Sequence, residues 1–305
     1  MRNQPLVSVI IPTHNRKEKL KRLIKSIKKS EYSNIEIIVI DDASADGTYG
    51  EMKKRFPEVK IIRNKEKRLV ATSRNIGIRN SNGKFIFFID DDNVIDKPCI
   101  NKLVKTFLSD GKVGVAAPIM YYCNPHKMVW CAGVRRSMIT SKTTLIGNGK
   151  IDQGQFNDVL DSDDFPNAFM VRSEITKAEG ILFDEKNFPW MYEEADFCYR
   201  IRKNGWKVVL VPTAKIWHDV PEEKFTCRWT KVRAYYTGRN RVLFHKKYSK
   251  RYEYLIFATV FLSIFTLAYA FLILRDRFLE GKFSEGVRIS TFYIKGVMNG
   301  IKSII

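Results

Sequence analysis

Short apolar runs alternate with amphipathic stretches over the first third of the chain. Residues 7–11 form an apolar run rich in β-branched side chains, and a polar turn follows at Pro12. Apolar residues then recur at helical spacing, with lysines on the opposite face, at Leu20, Leu23, Ile24 and Ile27. This pattern predicts a strand, a loop and a helix in that order.

The same alternation continues to about Ala117. Further strands are predicted over residues 35–40, 59–62 and 85–89, and further helices over residues 68–80 and around residues 100–107. The strand segments are apolar on both faces, which is typical of parallel sheets that helices cover on both sides. Residues 1–117 are therefore predicted to form a doubly wound α/β half.

The middle of the chain has a less regular pattern. Residues 118–164 are rich in Gly, Asn, Ser and Thr, and they are interpreted as strands and loops of a substrate-facing half that ends near residue 220. A helix is predicted over residues 193–203, where Asn204 and Gly205 form a common C-terminal signal. Two strands are predicted after it, over residues 208–211 and 214–218.

The C-terminal part of the chain differs from the rest. Residues 254–274 contain no charged side chain, and lysines and arginines flank them on both sides. Such a segment is long enough to span a bilayer, and residues 283–305 suit a helix lying in the membrane interface. We expect a basic connector over residues 221–250 and membrane-associated helices over residues 251–305. A single span and a shallow insertion both fit, and burial in a homo-oligomer is the alternative for the same apolar surface.

Charge supports the distinction between the tail and the rest. The formal net charge is +20, and the last 85 residues hold 16 Lys and Arg against six Asp and Glu. Nucleic acid and an anionic lipid surface are both candidate partners for such a surplus. Because the basic tail is also apolar, membrane lipids are the predicted partner and nucleic acid is not.

Cysteine usage indicates a reducing compartment. The five cysteines include no CxxC pair, so neither a disulfide framework nor a zinc knuckle is expected. They stand at Cys99, Cys123, Cys131, Cys198 and Cys227. The apolar run before Pro12 is too short for the core of a signal peptide. The globular part is therefore expected in the cytosol, attached to a membrane by the tail.

Two acidic clusters directly follow predicted strands, at Asp41-Asp42 and at Asp90-Asp91-Asp92. In open α/β sheets, ligands bind outside the carboxyl ends of the strands. Three adjacent carboxylates suit Mg²⁺ or Mn²⁺, although a solvated acidic turn is the alternative. Asp41 and Asp42 could accept hydrogen bonds from a nucleobase or ribose, or Asp42 could cap the next helix.

Five motifs together resemble glycosyltransferase family 2, over residues 5 to about 245. They are Val7-Ser8-Val9-Ile10-Ile11-Pro12-Thr13-His14-Asn15-Arg16, Asp41-Asp42-Ala43-Ser44, Arg74-Asn75-Ile76-Gly77, Phe88-Ile89-Asp90-Asp91-Asp92 and Glu193-Glu194-Ala195-Asp196. The pair Arg239-Asn240 also resembles rhamnosyltransferase-like members. The resemblance implies a GT-A fold and a metal-dependent, inverting glycosyltransferase that uses a nucleoside-diphosphate sugar as donor.

The resemblance also implies roles for residues on the donor side. The nucleotide is expected to contact Pro12, Thr13, Asn15, Arg16, Asp41, Asp42, Arg74, Asp90 and Asp91. The expected ligands of Mn²⁺ or Mg²⁺ are Asp92, Asp90 and His218, and a structural histidine is the alternative for His218.

On the acceptor side, the family's base is normally an Asp in a Glu-Asp pair. Glu194 stands at that position here and Glu193 precedes it, so the two could exchange roles. The alternative is an acidic first helical turn favoured by the helix dipole. Trp229 and Trp190 are predicted to contact the acceptor. Arg228-Trp229 resembles part of an element of processive members, but Phe225 replaces its Gln, which argues against a polymerising synthase.

The predicted reaction moves one sugar to a hydroxyl of a glycan or lipid-linked glycan. A sugar nucleotidyltransferase is one alternative, but the segment from Pro12 to Asn15 is not the Gly-rich phosphate loop that such enzymes carry. A membrane-bound scaffold that binds nucleotides without turnover is the other alternative.

Overall fold

A computed structural model of the chain describes residues 4–220 and 229–303, and it divides into two compact units. The first unit comprises Met1–Arg135, Leu145–Asp184 and Phe197–Val220. The second unit comprises Arg136–Thr144, Glu185–Asp196 and Pro221–Ile305. Cys227, Phe225 and Arg228 lie outside the described residues.

The strands are β1 (Val7–Thr13), β2 (Ile35–Asp41), β3 (Lys60–Arg63), β4 (Phe85–Ile89), β5 (Asn93–Ile95), β6 (Val113–Tyr122), β7 (Val129–Cys131), β8 (Val134–Arg136), β9 (Thr143–Leu145), β10 (Leu160–Asp161), β11 (Ala168–Arg172) and β12 (Lys207–His218). The helices are α1 (Lys17–Ile27), α2 (Thr48–Arg55), α3 (Leu69–Arg79), α4 (Cys99–Ser109), α5 (Ser173–Lys177), α6 (Glu193–Lys203), α7 (Lys231–Tyr248), α8 (Arg251–Ile256), α9 (Leu262–Leu279) and α10 (Phe283–Lys302). A π-helical stretch, Phe257–Phe261, joins α8 to α9.

The first unit is built on a mixed, mostly parallel sheet. Its main strand order is β10-β12-β6-β11-β4-β1-β2-β3, with β5 paired to β12 and β7 paired to β6. The pairs β1–β2, β1–β4, β2–β3 and β12–β6 are parallel, whereas β11 runs antiparallel to both of its neighbours. The predicted α/β class is confirmed.

Strand β12 corrects one detail of the sequence analysis. The two strands predicted over residues 208–211 and 214–218 are one continuous strand. Its pairing with β6 shifts register between Val211 and Lys215, which marks a bulge. Pro212 lies in this bulge, where its missing N–H costs no ladder hydrogen bond.

Both faces of the sheet are covered, as strand β4 shows. All five of its residues are buried. Phe85 and Phe87 pack into one apolar cluster, while Ile86 and Phe88 pack into a second one. Because alternate side chains of a strand point to opposite faces, the two clusters lie on opposite sides of the sheet. This arrangement explains the unbroken apolar runs in the sequence.

In the second unit, helix α10 packs against α7 and α9. Their shared core includes Trp229, Ala234, Tyr293 and Val297. Helices α7 and α10 approach each other closely, because a Cβ added at Gly296 would collide with the backbone carbonyl of α7 at Tyr235. Small residues permit this kind of close helix packing.

Within the described residues, one helical run is long and apolar enough to cross a membrane. It extends from Arg251 to Leu279 through α8, the π-helical stretch and α9. Only 17% of its most apolar 18-residue window is buried within the chain. A core helix of a soluble protein would be mostly buried, so the described residues leave most of this surface uncovered.

Candidate active site

The two acidic clusters lie at the carboxyl ends of strands β2 and β4. Strand β1 lies between β2 and β4 and is parallel to both, so their carboxyl ends share one edge of the sheet. Thr13 is in register with Asp41 across the β1–β2 pair. The loops after these three strands therefore meet at the edge where open sheets bind ligands.

Thr13, the last residue of β1, and Arg16, in the loop after it, bind the acidic triplet. The Thr13 hydroxyl donates a hydrogen bond of 2.6 Å to Asp91 Oδ2. Arg16 Nη1 lies 3.0 Å from Asp91 Oδ1 and 2.9 Å from Asp92 Oδ2. The Arg16 side chain is 50% exposed, whereas both carboxylates are buried. Half of the Arg16 side chain is therefore accessible to a ligand from solvent.

Neighbouring Asp91 and Asp92 differ in their protonation behaviour. Burial raises the pKa of Asp91 to about 7, against the opposing effect of the Arg16 charge. Burial acts in the same direction on Asp92, but the interaction with His218 and the charge of Arg16 lower its pKa to about 2. Asp92 is therefore the firmly ionised member of this pair at neutral pH.

Asp90 is held by residues from other strands and helices. Arg74, which is fully buried in α3, places Nη2 3.0 Å from Asp90 Oδ1. The Asn93 side-chain amide donates to the carbonyl of Asp90 at 2.8 Å and to Asn167 Oδ1 at 2.5 Å. The backbone N–H of Asp90 donates to the carbonyl of Asn167 at 3.2 Å. These contacts fix the first residue of the triplet.

The predicted metal ligands Asp92 and His218 are neighbours. His218 Nε2 lies 3.3 Å from Asp92 Oδ1, at the end of β12. Within residues 4–220 and 229–303, no group of three or more His, Cys, Asp or Glu side chains is arranged as a metal site. The donor types still fit, because carboxylate oxygen and imidazole nitrogen both suit Mn²⁺, and the Nδ1 atom of His218 is buried without a hydrogen-bond partner in the described part of the chain.

Asp41 and Asp42 organise their own loops. The Asp42 carboxylate accepts hydrogen bonds from the Asn64 side chain at 2.8 Å and from the backbone N–H groups of Arg68 and Leu69 at 2.7 and 2.9 Å. It therefore holds the entry to α3. Asp41 Oδ1 accepts from the backbone N–H of Ser44 at 3.0 Å. A role for either residue in binding the nucleotide stays a prediction.

Left-handed backbone conformations mark the loops at this edge. Asn15 has a φ of 54°, and its side chain accepts from the backbone N–H of Ala45 at 2.7 Å. Ala43 and Leu69 have φ values of 60° and 68°. Such conformations are unfavourable for residues other than glycine, and they cluster at functional sites. Pro12 lies within β1, immediately before these loops.

Glu193 and Glu194 open helix α6 and belong to the second unit. Glu193 is buried at 3% exposure, whereas Glu194 is half-buried. The two residues before them, Met191 and Tyr192, have φ values of 64° and 68°. The segment that presents the predicted base is therefore strained.

The two predicted acceptor residues lie in different surroundings within the second unit. Trp190 is half-buried just before Glu193. Trp229 is only 1% exposed, and its ring packs against Tyr269 and Tyr293. In this structure the indole of Trp229 forms part of the helical core.

Several residues at these positions were not predicted from the sequence. Asp219 follows His218, its backbone N–H donates to the carbonyl of Asp92 at 2.8 Å, and its carboxylate lies 2.7 Å from Arg22. Asn167 was also missed. Asn167 has a left-handed φ of 74°, which Asn tolerates better than most residues, but no periodic pattern in the sequence marks it.

Two family models match the chain, over overlapping ranges. The model of the family "Glycosyl transferase family 2" matches residues 8–151, and that of "Glycosyl transferase family group 2" matches residues 85–293. The second match covers more than half of the chain. The chain therefore belongs to glycosyltransferase family 2.

Named relatives match over shorter stretches. The chain is 32% identical over 90 residues to the UDP-Glc:alpha-D-GlcNAc-diphosphoundecaprenol beta-1,3-glucosyltransferase WfgD of Escherichia coli, which covers 29% of this chain and 36% of that protein. The chain spans about a third or less of the first curated relatives that it matches.

Two solved structures share the fold. GalNAc-T7, solved with UDP, GalNAc and Mn²⁺, aligns with a TM-score of 0.68 at 18% identity over 85% of this chain and 51% of that chain. The mannosyltransferase PcManGT from Pyrobaculum calidifontis, solved with GDP-Man and Mn²⁺, aligns with a TM-score of 0.60 at 16% identity over 98% and 88% of the two chains. The fold is GT-A, as predicted.

Proposed function

We propose that this chain is an inverting glycosyltransferase that moves one sugar from a nucleoside-diphosphate sugar to a hydroxyl group of a glycan or lipid-linked glycan. One observation carries the proposal. In a chain of family 2, the end of β1 and the loops after β1 and β4 bring Thr13, Arg16, Asp91 and Asp92 into direct contact at the ligand-binding edge of the sheet.

The donor is assigned to residues 1–117. The acceptor is assigned to residues 118–220, which include the segment before α6. Arg16 is the half-exposed cation at the acidic triplet, so its guanidinium can turn toward the diphosphate of an incoming donor. The loops at Asn15 and Asp41 then offer backbone and carboxylate groups to the nucleoside. Arg74 supports this site from beneath through its contact with Asp90.

Asp92, His218 and Asp90 would hold a divalent cation, Mn²⁺ or Mg²⁺. Both solved structures described above contain Mn²⁺, and the carboxylates and imidazole present here are donor types that suit this ion. When bound, such an ion supplies positive charge against the departing diphosphate. Asp92 fits this role best because its carboxylate is ionised and His218 is its neighbour.

Glu194 is the proposed general base. Its carboxylate accepts the proton of the acceptor hydroxyl as the hydroxyl oxygen forms a bond to the anomeric carbon. The bond between that carbon and the diphosphate oxygen breaks on the opposite side, so the configuration inverts. Glu194 is more accessible than the buried Glu193, which favours it as the residue that meets the acceptor.

The acceptor is proposed to be presented at a membrane surface. The run from Arg251 to Leu279 is long and apolar enough to insert into a bilayer, and lysines and arginines flank it. The named relative from Escherichia coli acts on a diphosphoundecaprenol-linked sugar. Trp190 is the half-buried aromatic residue proposed to stack on the acceptor.

The experiment is a turnover screen of the full chain in detergent. UDP, GDP and dTDP sugars are mixed with Mn²⁺ and a diphosphoundecaprenol-linked N-acetylglucosamine acceptor, and the released nucleotide is identified. Release of nucleoside diphosphate together with a glycosylated acceptor supports the proposal. A nucleotidyltransferase would release no nucleoside diphosphate in this screen, but it would release pyrophosphate when a nucleoside triphosphate and a sugar phosphate are supplied instead. A scaffold would bind the donor without releasing any product.

A further inference from the structure

The segment that precedes the proposed base, Glu194, has a strained backbone that contacts with helix α7 hold in place. Two successive residues, Met191 and Tyr192, have left-handed φ values of 64° and 68°. A side chain with a Cβ atom disfavours this conformation, so a stretch with two such residues persists only where its surroundings hold it. The first intrahelical hydrogen bond of α6 runs from the N–H of Asp196 to the carbonyl of Tyr192, at 2.8 Å. The strained pair therefore sets where α6 begins.

Asn240 provides the support from helix α7. Its side chain is fully buried, and its Nδ2 group donates hydrogen bonds to the carbonyls of Trp190 at 2.9 Å and of Met191 at 2.8 Å. Its Oδ1 atom accepts from Arg239 Nη1 at 2.9 Å, which fixes the orientation of the amide. Arg239 Nη1 also donates to the carbonyl of Asn187 at 2.7 Å. The two adjacent residues of α7 thus hold the backbone leading to Glu193.

Other residues of α7 hold the side chains of the same segment. Phe244 contacts the Tyr192 ring, with centroids 5.3 Å apart. Lys247 and Tyr248 place Nζ and the hydroxyl 2.7 and 2.6 Å from Asp196 Oδ1. Residues 240, 244, 247 and 248 share one face of a helix by their spacing. This face of α7 therefore holds the first turn of α6 and the residues before it in place.

We propose that Asn240 is a positioning residue for catalysis: by binding the carbonyls of Trp190 and Met191 it maintains the left-handed turn and so aims the carboxylate of Glu194. This inference rests on the proposed function, since it assigns a support to the proposed base. Asn240 itself touches neither substrate nor reacting atoms. Its contribution is orientation, and misplacement of a reacting group by about 1 Å costs about 100-fold in rate.

The first test is Asn240→Ala, with Asn299→Ala as the matched control. Asn299 of α10 is half-buried and donates to the Tyr235 hydroxyl at 3.0 Å, so it makes a side-chain hydrogen bond in the same unit without contacting residues 187–192. Asn240→Ala is expected to lower kcat by about 100-fold with little change in the KM for the donor. Asn299→Ala is expected to retain kcat within about twofold of the wild type.

The second test leaves the buried Asn240 intact and changes the turn itself. Met191→Ile and Met191→Leu introduce side chains of equal size, but the β-branched isoleucine strongly disfavours a positive φ. Met191→Ile is expected to reproduce the loss in kcat, and Met191→Leu to retain activity. A third test uses the Asn240→Ala background. There, Met191→Gly is expected to raise kcat at least tenfold above that of Asn240→Ala alone, because glycine adopts this φ without a support.

The outcomes separate this inference from the proposed function. Full activity in folded Asn240→Ala and in Met191→Ile, together with an inactive Glu194→Gln, would overturn the positioning role and leave the enzyme assignment intact. Equal losses in Met191→Ile and Met191→Leu, or no rescue by Met191→Gly, would also overturn it. A wild-type protein that transfers no sugar in the turnover screen would instead overturn the proposed function.

Discussion

Arg16 shows how single side chains define the proposed donor site. It is held by Asp91 and Asp92 at 3.0 and 2.9 Å, yet half of its side chain remains exposed. Because an unpaired buried charge is costly, Arg16 compensates the two buried carboxylates while half of its own side chain stays open to solvent. The exposed half of this side chain is the part that the proposed diphosphate of the donor would contact.

Asp92→Asn tests the metal assignment. The change removes the negative charge with almost no change in volume, so it is expected to weaken Mn²⁺-dependent nucleotide binding by at least about tenfold, or about 1.4 kcal/mol. Titration of the protein with nucleotide, with and without Mn²⁺, measures the effect. Asp158→Asn, in an exposed loop, is the control and is expected to bind as the wild type does. Equal Mn²⁺ dependence in Asp92→Asn and the wild type would remove Asp92 from the site.

Glu194→Gln tests the base. Loss of proton acceptance is expected to lower kcat by about 10²- to 10⁴-fold while donor affinity is retained. Glu193→Gln is the matched comparison and is expected to cost less, because Glu193 is buried. Steady-state kinetics with saturating donor measures both variants. An inactive Glu193→Gln beside an active Glu194→Gln would move the base to Glu193.

His245 predicts a pH dependence of stability in the second unit. Burial lowers the pKa of His245 to about 4, helped by the charges of Arg241 and Arg136. Because this folded-state pKa lies below the unfolded value of about 6.5, the unfolded chain binds the proton first as pH falls. Above about pH 6.5, His245 is neutral in both the folded and the unfolded state and does not lower the free energy of unfolding. Between about pH 6.5 and 4 the free energy of unfolding falls progressively, by up to about 3 kcal/mol.

The variant His245→Asn isolates the contribution of His245 to this pH dependence. Its side chain keeps a donor toward the carbonyl of Met138, which lies 3.1 Å from Nδ1 of the histidine. Unfolding by denaturant in detergent is measured for both proteins at pH 7.5 and pH 4.5. The free energy of unfolding is expected to fall less on acidification in the variant than in the wild type. Parallel pH profiles for the two proteins would show that His245 titrates normally.

At the scale of elements, apolar periodicity predicted most of the sheet because its strands are buried on both faces. Strand β4 is the clearest case, since its five apolar residues supply both clusters. Strand β12 was divided in two because Pro212-Thr213 has the pattern of a break. A bulge lets the strand continue past such residues, and only the pairing with β6 reveals it.

The residues of the candidate site also fall into a group that the sequence predicts and a group that it does not. The acidic residues could be predicted because each follows a buried strand, and the parallel order brings their loops together. The residues that orient them, Asn93, Asn167 and Asp219, could not, since side-chain contacts between distant segments have no periodic signal. The same holds for Asn240, which contacts a carbonyl 50 residues earlier in the chain.

Gly296 tests the packing of α7 on α10. A Cβ at this position collides with the backbone of α7, so Gly296→Ala is expected to destabilise the second unit by about 1–3 kcal/mol. Gly50→Ala, in α2 of the first unit, is the control. Among the described residues, no atom outside its chain neighbours and its own helix backbone lies within 4 Å of a Cβ added there, and this change is expected to stabilise by up to about 1 kcal/mol. Denaturant unfolding measures both, and equal effects would contradict the close approach.

At the scale of the whole molecule, the apolar run of α8 and α9 is a surface that the described residues leave mostly uncovered. Leu267 and Phe271 are 72% and 63% exposed. Membrane lipid and a second copy of the chain would each cover such a surface. The flanking lysines and arginines favour lipid, because a subunit interface does not require them.

Membrane association is tested with the double variant Leu267→Glu, Phe271→Glu. Each charge near the centre of a bilayer-inserted helix costs about 2.5–3.5 kcal/mol, so the variant is expected to leave the membrane fraction. Leu108→Glu, at a similarly exposed leucine of the first unit, is expected to remain with membranes. Flotation on anionic vesicles measures this. A wild-type chain that stays soluble without detergent as a defined oligomer would show that the run is an assembly surface.

The stereochemistry of transfer tests the central claim most directly. Proton NMR follows the anomeric signals of the nucleotide-sugar donor and of the first glycosylated acceptor formed by the full chain. For an inverting transferase, an α-linked donor gives a β-linked product, and Glu194→Gln is expected to bind the donor but form no product. A product that keeps the configuration of the donor, or a donor that is bound but never consumed by the wild type, would contradict it.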